Sequence, residues 1–121
     1  MGSAEGCQDD HIDRDRVARI GAAMAGPETA RRLADVFSAF ADPGRLRLLE
    51  ALGHDELCVC ELTLLSGLSQ SSVSHHLRLL RNLRLVRHRR AGRLVYYSLD
   101  DEHVRHLVSQ GLAHVREEED R

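Results

Sequence analysis

The chain has 121 residues, a formal net charge of −2, no Trp, two Phe and two Tyr, which suits one domain with a Leu, Val and Ala core that would gain from dimerisation. No apolar run approaches the roughly 18 residues of a membrane span, and no signal peptide precedes Cys7, so a cytoplasmic protein without membrane partners is expected. Three cysteines in such a chain point to metal ligation or redox chemistry rather than a disulfide framework.

Residues 1–13 are polar and read as a mobile arm, yet they carry Cys7 and His11 at i, i+4, which a helical turn would bring to one face. A first helix is expected over about 15–25, with Val17, Ile20 and Met24 on one side. Gly26-Pro27 breaks it, and Pro27 can open a second helix to Phe40, with Leu33, Val36, Phe37 and Phe40 as its core stripe. Asp42-Pro43 is another cap and first-turn pair, opening a helix through Leu46, Leu48, Leu49 and Leu52 to a stop at Gly53. A short apolar helix follows, with Cys58-Val59-Cys60 at its start. A Ser66-Gly67-Leu68 turn then leads to Ser69, the N-cap of a helix whose Val73, Leu77 and Leu80 face a core. Leu85 to Ser98 reads as two strands around Arg90-Ala91-Gly92-Arg93, with Val95 and Tyr97 alternating against Tyr96. The last helix spans about 101–118, and residues 119–121 form an acidic tail. Residues 14–118 should therefore form one mainly α domain with a β-hairpin wing, a winged helix-turn-helix that dimerises through its first and last helices.

Charge is strongly segregated. Between Leu62 and Leu99 there are seven arginines and no Asp or Glu, so that segment is +7 and the remainder −9. Guanidinium forks suit phosphate and guanine, which points to double-stranded DNA. Ser69, Gln70, Ser71, Ser72, Ser74, His75 and Arg78 of the helix capped by Ser69, with Arg89, Arg90 and Arg93 of the wing, are the candidate contacts.

Two groups of ligand-type residues stand apart from the DNA face. Cys58 and Cys60 are soft donors, suited to zinc, cadmium, lead or cuprous ions. Residues at i and i+2 diverge by about 200° on an ideal helix, so both can hold one ion only where the chain leaves helical geometry. Cys7 and His11 would complete a four-donor set, from the same chain or a partner's. Two buried small side chains, or a thiol redox pair, are the other readings. In the last helix, His103 and His114 share a face but lie about 16 Å apart along the axis. Antiparallel pairing with a two-fold mate would bring Asp101 and His103 of one chain to His114 and Glu117 of the other, two N2O2 sets suited to zinc or cobalt. Without metal, the same helix would be an amphipathic dimer helix with incidental polar groups.

The segments Glu56-Leu-Cys-Val-Cys-Glu-Leu62, Ser69 to Val86 and Arg90 to Tyr97, with Ala41-Asp-Pro-Gly-Arg-Leu-Arg-Leu-Leu49, resemble the ArsR/SmtB family of metal-sensing winged-helix repressors over roughly 37–117. The resemblance implies that Asp101, His103, His114 and Glu117 form the zinc-sensing set, and that Cys7 and His11 join Cys58 and Cys60 in the set of the cadmium/lead and related zinc sensors. It implies a homodimeric repressor, not an enzyme, that binds an operator inverted repeat without metal and is released by Zn(II), or by Cd(II) or Pb(II), with Co(II) a substitute. Such a chain has no small organic substrate. Thr63 stands where arsenic sensors of the family often carry a third Cys, and Glu61, where Asp is common, is a possible oxygen ligand. An arsenite-, redox- or persulfide-responsive repressor using Cys58 and Cys60 is the alternative on the same fold. A metal buffer would leave the arginine-rich unit without a role.

Overall fold

Side-chain caps open most of the helices in the computed structural model, which describes residues 9–120. After a short 3₁₀ turn at Asp9–His11, Asp13 accepts the Arg16 N–H at 3.0 Å and opens α1, Arg14–Ala23. Pro27 is the first residue of α2, Pro27–Phe40. Asp42 accepts the Arg45 N–H at 3.1 Å and opens α3, Pro43–His54. The expected stop at Gly53 is corrected by one residue, because Gly53 stays in the last helical turn and the chain turns extended at Asp55. Cys7 and most of the arm lie outside the described residues.

The chain divides into two units, 1–32 and 33–121. In the first, α1 buries no residue: Val17, Ile20 and Met24 form the expected stripe, but all three are exposed, Met24 by 67%. The second unit holds the core. Leu57–Cys58 forms β1, followed by α4 at Val59–Ser66, α5 at Gln70–Asn82, β2 at Val86–Ala91, β3 at Leu94–Leu99 and α6 at Glu102–Glu119. Leu48, Leu49 and Leu52 of α3 are buried among Leu62, Val73, Leu77, Leu80, Leu99, Val104 and Val108, so α3 is the central helix. Burying leucines of this kind stabilises by about 1.5–3 kcal/mol each. Among the described residues no helix is long and apolar enough to cross a membrane.

The sheet differs from the expected hairpin in having a third strand. The order is β1-β3-β2, all antiparallel, with Leu57 opposite Tyr97 and Cys58 opposite Tyr96. The alternation expected around Tyr96 is present, but both faces are covered, so Val95, Tyr96 and Tyr97 are all half-buried. Each tyrosine ring is covered on its own face, Tyr96 by Arg89 and Tyr97 by His88. Helix α5 closes on a Schellman turn, with Leu85 N–H donating to Leu80 O at 2.9 Å and Arg84 N–H to Arg81 O at 3.0 Å. Arg84 there has φ of 60°, the left-handed conformation usually taken by glycine.

Candidate nucleic-acid interface and metal-ligand sets

The turn ahead of α5 is fixed from several sides. Gly67, at φ of 73°, ends α4 by donating its N–H to Thr63 O at 3.1 Å. Arg47 of α3 donates to Leu65 O at 3.2 Å and Ser66 O at 3.4 Å, a cation on the carbonyl end of α4. Ser69 Oγ then accepts the Ser72 N–H at 3.1 Å and starts α5. Val73, Leu77 and Leu80 are fully buried beneath it. Gln70, Ser71, Ser74, His75 and Arg78 line one open, shallow face. Ser69 is thus engaged as a cap, and the half-buried Ser72 supplies the capped amide.

The wing arginines are not equivalent. Arg90 and Arg93 are exposed and have no ion pair among the described residues. Arg89 donates from Nε and Nη2 to the two carboxylate oxygens of Glu56, both at 2.8 Å, and its guanidinium lies 5.1 Å from the Tyr96 ring centre. The Arg89 hydrogen bonds hold the Glu56 carboxyl below its ordinary 4.5. Arg81 lies 3.3 Å from His88 Nδ1, joining α5 to β2. Sequence reasoning missed Glu56, although it is an acid just outside the +7 segment and two residues before Cys58.

The terminal-helix residues fall into two half-sets. Asp101 caps α6, with Oδ1 accepting the Val104 N–H at 3.1 Å and Oδ2 lying 3.6 Å from His103 Nδ1. That backbone bond and the neighbouring His103 keep the carboxyl below its usual 3.8. His103 is otherwise open, with its side chain 92% exposed. His114 and Glu117 are exposed on the same helix, one turn apart. Among the described residues no three His, Cys, Asp or Glu side chains of one chain converge on a metal position. The donor chemistry suits zinc as one imidazole and one carboxylate per half.

The thiols occupy different environments. Cys58 is extended, with φ −88° and ψ 169°, and buried, whereas Cys60 lies exposed in the first turn of α4. The departure from helical geometry that joint chelation requires is therefore present at Cys58. Glu61 is already occupied, because one of its oxygens accepts the Cys58 N–H at 3.0 Å. The Thr63 hydroxyl donates to Val59 O at 2.8 Å. His11 is exposed in the N-terminal unit.

A helix-turn-helix with a polar outer face, followed by an arginine-bearing β-hairpin, defines a winged helix-turn-helix protein, a DNA-reading class. Comparison with known proteins narrows this. The family described as "Bacterial regulatory protein, arsR family" matches residues 42–88. A Synechocystis transcriptional repressor SmtB homolog is 44% identical, over 92% of this chain and 84% of that one. A Staphylococcus aureus cadmium resistance transcriptional regulatory protein CadC homolog is 41% identical, over 92% of each. Among solved structures, the antimony-specific transcriptional repressor AntR superposes with a TM-score of 0.74 at 28% identity, covering 96% of this chain and 98% of that one. The chain belongs to the ArsR/SmtB family of bacterial regulatory proteins, a family of transcriptional regulators and not of enzymes.

Proposed function

We propose that the chain is a cytoplasmic, homodimeric, metal-responsive repressor that holds an operator inverted repeat without metal and leaves it when Zn(II), Cd(II) or Pb(II) binds. The observation that carries the metal half is the Asp101–His103 pair, a preformed half-set at 3.6 Å on an exposed helix that also bears His114 and Glu117. Exposed apolar residues on the helices expected to dimerise, Val17 and Ile20 on α1 with Met24 at its C-cap and Leu107 and Val115 on α6, support the two-fold assembly. The SmtB and CadC homologues and the antimony-specific AntR support metal or metalloid as the class of inducer.

In this reading α5 enters the major groove with Gln70, Ser71, Ser74, His75 and Arg78, and Arg90 and Arg93 reach the backbone from the wing. Asp101 orients His103, and two-fold pairing completes each set with His114 and Glu117 of the other chain. A bound ion supplies a cross-link between the paired helices. Release follows if the cross-linked dimer fits the half-site spacing less well; the coupling is reciprocal, so operator DNA weakens metal binding equally. A second reading rests on the free thiols. Cys58 and the exposed Cys60, with Cys7 and His11 from the arm, form the other ligand set or a redox- or arsenite-responsive pair.

The test is fluorescence anisotropy on the chain's own upstream DNA, in reductant and chelator and then with each metal. Tight binding lost with one metal establishes the sensor and its inducer. Binding indifferent to all metals but lost on oxidation transfers the function to the thiols.

A further inference from the structure

Of the three wing arginines expected to contact DNA, Arg89, Arg90 and Arg93, only Arg89 is tied down. Strand β2 pairs with β3 so that Arg89 lies opposite Tyr96 and Arg87 opposite Ser98, while His88 and Arg90 alternate to the other face. The contacts follow that alternation. Arg89 lies over Tyr96 and Arg87 Nε bonds Ser98 Oγ at 3.4 Å, whereas on the opposite face His88 meets Arg81 of α5. Arg89 therefore points away from the face of the wing that adjoins the recognition helix. Its guanidinium is held by both oxygens of Glu56, immediately before β1, and by the Tyr96 ring. A bidentate fork with an aromatic neighbour fixes direction as well as charge. Glu56 and Arg89 are 33 residues apart, so the pair adds a side-chain tie, reaching strand β2, to the backbone pairing of β1 with β3.

We infer that Arg89 is a positioning residue and not a DNA contact: with Glu56 it forms a strap that sets the angle of the wing, leaving Arg90 and Arg93 to meet phosphate. The inference rests on the DNA-binding reading above. It departs from the sequence expectation that treated the three arginines alike.

The two roles separate in what the charge swap restores. A lost phosphate contact lowers the slope of log affinity against log salt by about 0.9, and a misplaced wing lowers it as well by withdrawing Arg90 and Arg93, whereas only a strap is rebuilt when the two charges are exchanged. Operator affinity should be measured across a salt series for the wild type, Arg93→Gln, Arg89→Gln, Arg89→Glu, Glu56→Arg and the charge swap Glu56→Arg with Arg89→Glu. Thermal melts of the swap and both singles provide a double-mutant cycle. Arg93→Gln should show a shallower slope. Arg89→Gln should bind several-fold more weakly, and the swap should regain affinity and stability over its single variants. A swap that binds no better than Arg89→Glu alone, or melts that show no coupling between the two positions, overturns the strap. If the wild type itself binds no operator, the repressor reading fails instead, and the melts still report whether the pair is coupled.

Discussion

The division of each terminal-helix set between two chains can be tested by complementation. His103 and His114 are eleven residues apart on α6, about 16 Å along the axis at 1.5 Å per residue. Zinc–ligand bonds are about 2.0–2.2 Å, so one ion cannot span more than about 5 Å between donors. A chain lacking Asp101 and His103 and a chain lacking His114 and Glu117 should each form a homodimer with no complete set. Mixed in one dimer, they leave one site with no ligands and the other with all four. Cobalt absorption should therefore be absent from each homodimer. It should appear in the purified heterodimer at one ion per dimer, half the wild-type stoichiometry. Typical couplings of about 1–3 kcal/mol correspond to roughly 5- to 150-fold weaker operator binding in the loaded dimer. Tight cobalt binding by either variant homodimer, or none by the heterodimer, refutes the two-chain set. The thiols are a separate donor group, so these titrations belong on a background in which Cys7, Cys58 and Cys60 are replaced by serine.

Leu77→Ala removes a fully buried side chain beneath the recognition helix and should cost about 2–5 kcal/mol, read by urea denaturation. Ser69→Ala deletes the α5 cap and should cost about 1 kcal/mol, with weaker operator binding from fraying at Gln70 and Ser71. Asp42 and Asp101 both have carboxyls held below 3.8, chiefly by a backbone N–H from Arg45 and Val104 respectively. A depressed folded pKa contributes stability that is fully present above the unfolded value and lost as pH falls through the folded one. Melting temperature should accordingly drop below about pH 4, and Asp42→Asn with Asp101→Asn should flatten that drop.

Local chemistry made most of the elements legible. Asp42, Ser69 and Asp101 are short polar side chains just before apolar periodicity, and each caps a helix. Val73, Leu77 and Leu80 followed from helical spacing. The third strand was not legible, because Leu57–Cys58 is two residues long and exists only through its pairing with Tyr96 and Tyr97. For the same reason the Arg89–Glu56 pair escaped a reading that counted arginines along the chain. The ligand residues were visible as types at spacings. In the proposed reading a second chain completes the terminal-helix set, and the single chain carries only its two halves.

The left-handed arginine at the end of α5 places stability and charge in opposition. Non-glycine residues pay roughly 1–2 kcal/mol for that backbone conformation, whereas a glycine adopts it freely but carries about 0.5–1 kcal/mol more chain entropy into folding. Arg84→Gly should thus melt slightly higher, and it would delete one of the seven arginines of the basic segment. A glycine at this corner would relax the backbone at the cost of one positive charge. An engineer seeking a hardier scaffold would change Arg84 first, and would find the gain in the melting curve offset by a weaker hold on DNA.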